Sequence, residues 1–164
     1  MGSIARAPVA SALFALVLTS GGGFGCSKSG TGSGSPCSHA GCGDHFFVDV
    51  IAPVDCESGT LCQMGVKLAA LGDFHVNDEY AYRFVADPKP LVQFSGTDPD
   101  GQTIFSKSAG DWHKEDAKNG TAVVSFFVST PGSYTISGTF KLSVCAGANC
   151  LLEQRTVSST FNAR

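Results

Sequence analysis

From about residue 44 onward, apolar residues recur at every second position rather than every third or fourth. The longest case is the stretch from Tyr134 to Val144. Tyr134, Ile136, Phe140, Leu142 and Val144 share one parity; Thr135, Ser137, Thr139, Lys141 and Ser143 share the other. Side chains alternate across a strand, so this pattern predicts one apolar face and one wet face. Met64, Val66, Leu68 and Ala70 repeat it, with Lys67 opposite. Tyr80, Tyr82 and Phe84 do so around Arg83, and Val124, Phe126 and Val128 form another run. Phe46, Val48 and Val50 make a shorter one. Weaker strands are predicted near Leu91–Phe94, Thr103–Phe105 and Thr156–Phe161. No stretch has the period of a long helix.

Turn chemistry separates these runs. Asp87-Pro88-Lys89-Pro90, Asp98-Pro99-Asp100-Gly101, Asn119-Gly120 and Pro131-Gly132 combine the fixed φ of proline with the free φ of glycine. Seven or eight short strands so punctuated predict an all-β, antiparallel β-sandwich, with a barrel as the alternative. Pro131-Gly132-Ser133-Tyr134 leads into the longest run. It resembles the start of strand F in an immunoglobulin-like domain, where a tyrosine ties the corner.

The N-terminal stretch reads differently. Arg6 precedes an apolar run, Val9 to Leu18, of the length of a signal-peptide core. It falls short of the ~20 residues a spanning helix needs. Small residues from Thr19 to Gly25 then lead to Cys26. That order resembles a bacterial lipoprotein signal, in which the cysteine after a small residue is lipidated. Gly25 fits the pattern, whereas Gly23 stands where leucine is usual. Ser27 follows where an aspartate would favour the inner membrane, so the resemblance implies an outer-membrane lipoprotein facing the periplasm. Ser27 to Pro36, SKSGTGSGSP, has nothing to bury and reads as a flexible tether. The predicted organisation is a signal peptide over 1–25, a lipidated cysteine and tether over 26–43, and a β-sandwich domain over 44–164.

Charge narrows the partners. The whole chain carries a formal −3, and loss of Arg6 with the leader makes the remainder more acidic still. With no basic cluster, nucleic acid is not an expected partner. The expected membrane contact is the lipid anchor alone.

Seven cysteines are present. Setting Cys26 aside leaves three close pairs: Cys37/Cys42, Cys56/Cys62 and Cys145/Cys150. An exported chain with an even count implies disulfides, although six cysteines permit 15 connectivities. Cys62 shares parity with Met64 and Val66, so it should face inward, and Cys56–Cys62 reads as structural. Cys37–Cys42, at the end of the tether, reads as another local staple. Cys145 and Cys150 flank a predicted hairpin turn, across which two cysteines can meet disulfide geometry. A ring so small would stabilise the fold by only about 2 kcal/mol. Cys145 has the parity of Lys141 and Ser143, which points it away from the core, where an attacking thiolate could reach it.

Three further segments carry a family resemblance: Asp73-Phe74-His75-Val76-Asn77-Asp78-Glu79-Tyr80, then Pro131 through Gly138, then Ser143-Val144-Cys145 through Cys150. In this order and spacing they resemble the N-terminal periplasmic domain of the thiol:disulfide interchange protein DsbD, an immunoglobulin-like domain. The resemblance implies that Cys145 and Cys150 are a redox pair, exchanging electrons with thioredoxin-fold envelope proteins. Trp112-His113-Lys114-Glu115-Asp116 resembles the start of that family's capping loop, which implies proton-handling carboxylates at Glu115 and Asp116. The chain also departs from the family. Four residues rather than five separate the cysteines, and Ala117 and Lys118 stand where an aromatic cap is expected. No membrane electron-delivery domain is attached. No Lys, Arg or His flanks either cysteine in sequence to depress a thiol pKa.

Other chemistry is weaker. Cys37, His39, Cys42 and His45 have donors suited to a metal, but oxidation would remove them. No metal or cofactor is expected. His75 and His113 read as isolated surface histidines. Asp98 to Gly101 reads as a turn, because the later ligands of a calcium loop are missing. Two functions stand against each other: a thiol–disulfide carrier, and a non-catalytic disulfide-stapled binding or structural module.

Overall fold

The computed structural model describes residues 41–96 and 101–164. The leader, Cys26, the tether and Cys37 lie outside the described residues, as do Asp98, Pro99 and Asp100.

Ten strands are present among the described residues: β1 Phe46–Ile51, β2 Cys62–Ala70, β3 His75–Val76, β4 Arg83–Ala86, β5 Val92–Phe94, β6 Ile104–Ser106, β7 Trp112–Lys114, β8 Asn119–Val128, β9 Gly132–Ala146 and β10 Asn149–Ala163. They form two antiparallel sheets. In the first, β1, β2 and β8 lie side by side, with β7 and β5 end to end along the far side of β8. In the second, β10 pairs with the whole of β9. On the other side of β9, β4 and β3 lie end to end, and β6 continues beyond β4. This is a β-sandwich, with more strands than the seven or eight expected. Strands β3 and β7 are two and three residues long. Elements so short show no alternation to read.

The core lies between the inward faces. Along β8, Gly120, Ala122, Val124, Phe126 and Val128 are buried at every second position. Met64, Val66 and Leu68 from β2 meet Phe84, Ile136, Phe140, Leu142 and Val144 from the other sheet in one cluster. Gly138 lies on this inward face of β9, and a Cβ there would sit 2.4 Å from the Phe84 ring and from the Val85 carbonyl. The gap in the apolar series at 138 is therefore the space filled by Phe84. Where the chain crosses from β8 to β9, the Tyr134 hydroxyl donates to the Thr130 carbonyl at 2.6 Å. This is the corner tie of immunoglobulin-like domains.

Two expectations need correction. The run at Tyr80–Phe84 is a strand only from Arg83; before it the chain turns, with Tyr80 N–H donating to Asn77 O and Tyr82 N–H to Tyr80 O. Tyr82 is nonetheless buried, because its ring packs inward. Trp112, the expected start of a capping loop, lies in a strand. It begins β7, is buried, and stacks on Tyr82 with ring centroids 4.1 Å apart.

Cys56 and Cys62 are bonded, both 4% exposed, within the core cluster. Arg164, at the end of β10, donates its N–H to Cys56 O. This cystine therefore lies at the end of the sandwich opposite the β9–β10 turn. Cys42 is half-buried and forms an isolated bridge to Phe47.

Candidate functional site

The second cystine closes the tip of the longest hairpin. Ala146 pairs with Asn149, leaving Gly147 and Ala148 as a two-residue turn. Gly147 has φ of 57°, the positive value that suits the first position of such a turn. One rung further down, Cys145 pairs with Cys150; their Cα atoms are 4.0 Å apart and the sulfurs are bonded.

The two halves of this cystine differ. Cys150 lies on an edge strand and is exposed, whereas Cys145 is 4% exposed. The expectation that Cys145 is accessible is thus corrected. It points away from the apolar cluster, to which it does not belong, but it lies in an interior strand with neighbours on both sides. One of these is Cys150. The other is His75 of β3, which pairs directly with Cys145.

His75, Cys145 and Cys150 therefore form one transverse row on the outer face of the second sheet. Residues directly opposite in an antiparallel pair have Cβ atoms about 4.5–5.5 Å apart on the same face. The opposite face at the next rung is apolar: Val76 and Val144 are both fully buried. In sequence, His75 reads as an isolated surface histidine. It lies far from Cys145 along the chain, on a strand of two residues, and only the sheet pairing joins them.

Hydrogen bonds hold β3 in place. The Tyr82 hydroxyl donates to the Ser143 carbonyl at 2.5 Å and accepts from Asn77 N–H at 2.8 Å. Asn77 Nδ2 donates to Ser143 Oγ at 3.1 Å, and Ser143 is fully buried. Burial pushes the Tyr82 phenol pKa well up, so its hydroxyl remains a donor. On the other side of β3, Val76 N–H donates to Ala117 O at 2.9 Å, and Lys118 Nζ donates to the carbonyls of Gly72, at 2.6 Å, and Phe74. Lys114 pairs with Asp78 at 2.6 Å.

Glu115 and Asp116 occupy the turn that supplies these contacts, and their carboxylates have local partners. Glu115 accepts from Thr121 Oγ1 at 2.7 Å and Lys67 Nζ at 3.1 Å. Lys67 and Thr121 pair on the outer face of the first sheet, the far side of the sandwich from the cystine. Asp116 accepts from the Asn119 side chain and from the backbone N–H groups of Lys118 and Asn119. Hydrogen bonds from Thr121 and then Lys67 lower the Glu115 pKa, and those from Asn119 and Lys118 lower that of Asp116. Both hold carboxylates in the charged form. The turn bears on the cystine through β3, which it props against β9.

Leu152 stands two residues beyond Cys150 on the same face, opposite Ser143, and is 69% exposed. An exposed cysteine beside an exposed apolar side chain is an arrangement a partner protein can cover. Among the described residues no cluster of three or more His, Cys, Asp or Glu could hold a metal. Compared with known proteins, the chain matches no family model, and no curated protein matches it.

Proposed function

We propose that this chain is an envelope lipoprotein that exchanges electrons with thioredoxin-fold proteins through Cys145 and Cys150, as its resemblance to the DsbD N-terminal domain implies. One observation carries the reading: a cystine at a hairpin tip with one exposed and one buried cysteine. Thiol–disulfide exchange needs in-line access to a single sulfur. Access at Cys150 gives the reaction a direction. A partner thiolate attacks Cys150 Sγ, the Cys145–Cys150 bond breaks, and the electron pair leaves on Cys145. The partner's second thiolate then attacks its own sulfur in the mixed disulfide and releases Cys150. A dithiol partner becomes a disulfide, and the cystine becomes two thiols.

The test is a redox titration followed by mass-tag alkylation. The carrier reading expects a potential well above about −300 mV, the region of inert structural disulfides. It also expects Cys145→Ala, which leaves the Cys150 thiol without its mate, to accumulate mixed disulfides with thioredoxin-fold proteins. A pair that stays oxidised at a thioredoxin poise of about −270 mV would defeat it. The second reading, a non-catalytic stapled module, is favoured by the burial of Cys145. The structure supports their common ground: a β-sandwich stapled by two disulfides.

Anchoring is tested separately. Cys26→Ser should move the protein from the membrane fraction to the soluble fraction. Retention in the membrane would overturn the lipid anchor.

A further inference from the structure

The cross-strand row offers something neither cysteine's sequence neighbours supply. Reduction of the cystine leaves Cys145 buried, and burial alone disfavours a thiolate. The turn residues Ala146, Gly147, Ala148 and Asn149 carry no charge. From β3, however, the imidazole of His75 shares a face with Cys145 as its direct cross-strand partner. Resting on the carrier reading, we infer that His75 is the cation that stabilises the Cys145 thiolate, making Cys145 the leaving and resolving sulfur and Cys150 the attacked one.

The chemistry balances without an added reagent. When the partner's sulfur bonds Cys150, the electron pair from the broken bond resides on Cys145 Sγ. A protonated imidazole beside it pairs with that charge or transfers its proton, giving neutral thiol and neutral imidazole. In the reverse direction, imidazole accepts the Cys145 proton as the thiolate displaces the partner from Cys150. Histidine suits both because its ordinary titration falls between pH 5 and 8. A better leaving thiolate departs faster, and a stabilised reduced form makes the disulfide more oxidising.

The surroundings fit this role. Asp78 lies within electrostatic reach of His75 and is itself paired with Lys114. Lys107 donates to the Asp78 carbonyl. Lys118 is directed to the carbonyls of Gly72 and Phe74, on the chain leading into β3. From the hairpin, the titratable group paired with His75 is Cys145, with Cys150 one strand beyond.

The experiment uses Cys150→Ser, which leaves Cys145 as the thiol of this site, and follows thiolate absorbance against pH. With His75 present, the midpoint should lie at least one pH unit below that of the same protein carrying His75→Gln, because an opposite charge at this range shifts a pKa by about 1–3 units. His75→Lys, which retains a cation, should recover part of the shift. A second measurement needs no substitution. The NMR titration of His75 in the wild-type chain should move to higher pH on reduction, since a thiolate then appears beside it. Equal thiolate midpoints with and without His75, or a His75 titration indifferent to reduction, would overturn the inference. Failure of the carrier reading looks different: the wild-type disulfide would resist reduction at a thioredoxin poise, whatever the thiolate titration gives.

Discussion

At the scale of single residues, the most consequential group outside the cysteines is the Tyr82 hydroxyl. It donates to Ser143 O and accepts from Asn77 N–H, which without it keep only their longer 3.3 Å bond to each other, and a hydrogen bond contributes about 0.5–1.5 kcal/mol. Tyr82→Phe should lower unfolding stability in urea by that amount and increase hydrogen exchange at Asn77. Leu152 is the converse case. It is exposed, so Leu152→Ser should leave stability and reduction potential unchanged. Exchange with a protein partner should nevertheless slow several-fold, as stopped-flow kinetics would read. An unaltered rate would remove Leu152 from the contact surface. Inward-facing Cys62 was legible from its parity with Met64. The burial of Cys145 was not, because parity along β9 says which face a side chain takes but not what lies beside it.

At the scale of elements, legibility follows apolar alternation: β10 runs fifteen residues but buries only Val157, Phe161 and Ala163, and only its Thr156–Phe161 stretch reads as a strand. Strands β2, β8 and β9 each hold at least four alternations, enough for apolar periodicity to be visible. β3 and β7 hold one or none, yet these two position the site: β3 brings His75, and β7 begins the hairpin whose turn braces β3. Tyr80 and Tyr82 imitated a strand because an inward tyrosine in a turn has the same spacing as one in a strand. Gly138 was legible only as a break in the series. The Phe84 ring that occupies its place came from another strand. Gly138→Ala should therefore cost about 1–3 kcal/mol through overpacking. The check is a fall in urea midpoint with no change in the denaturant slope; no fall would mean that β4 can shift to make room.

For the whole molecule, the two cystines lie at opposite ends of the sandwich and serve different surroundings. Cys56–Cys62 belongs to the core cluster, so Cys56→Ala with Cys62→Ala should cost about 2 kcal/mol or more, from lost loop closure together with lost packing. Acid should weaken the fold through its surface carboxylates. Asp78, Glu115 and Asp116 have folded pKa values lowered below the ordinary 3.8 for aspartate and 4.5 for glutamate. A lowered folded pKa means that the folded state holds fewer protons than the unfolded one as pH falls through this range. The stabilisation is complete above the ordinary values and is lost below them. Thermal midpoints should therefore be level from pH 7 to 5 and fall below pH 4, and Thr121→Val should shrink the fall by removing the main partner of Glu115.

The hairpin carrying the second cystine is paired over fifteen rungs, from Gly132 with Ala163 to Ala146 with Asn149. The sulfurs join only the second rung from the turn. Opening them releases a short cap at the end of a closed zipper and leaves the teeth below engaged. A clasp placed there can be fastened and unfastened many times while the fabric stays whole, so oxidised and reduced chains should melt within about ten degrees of one another.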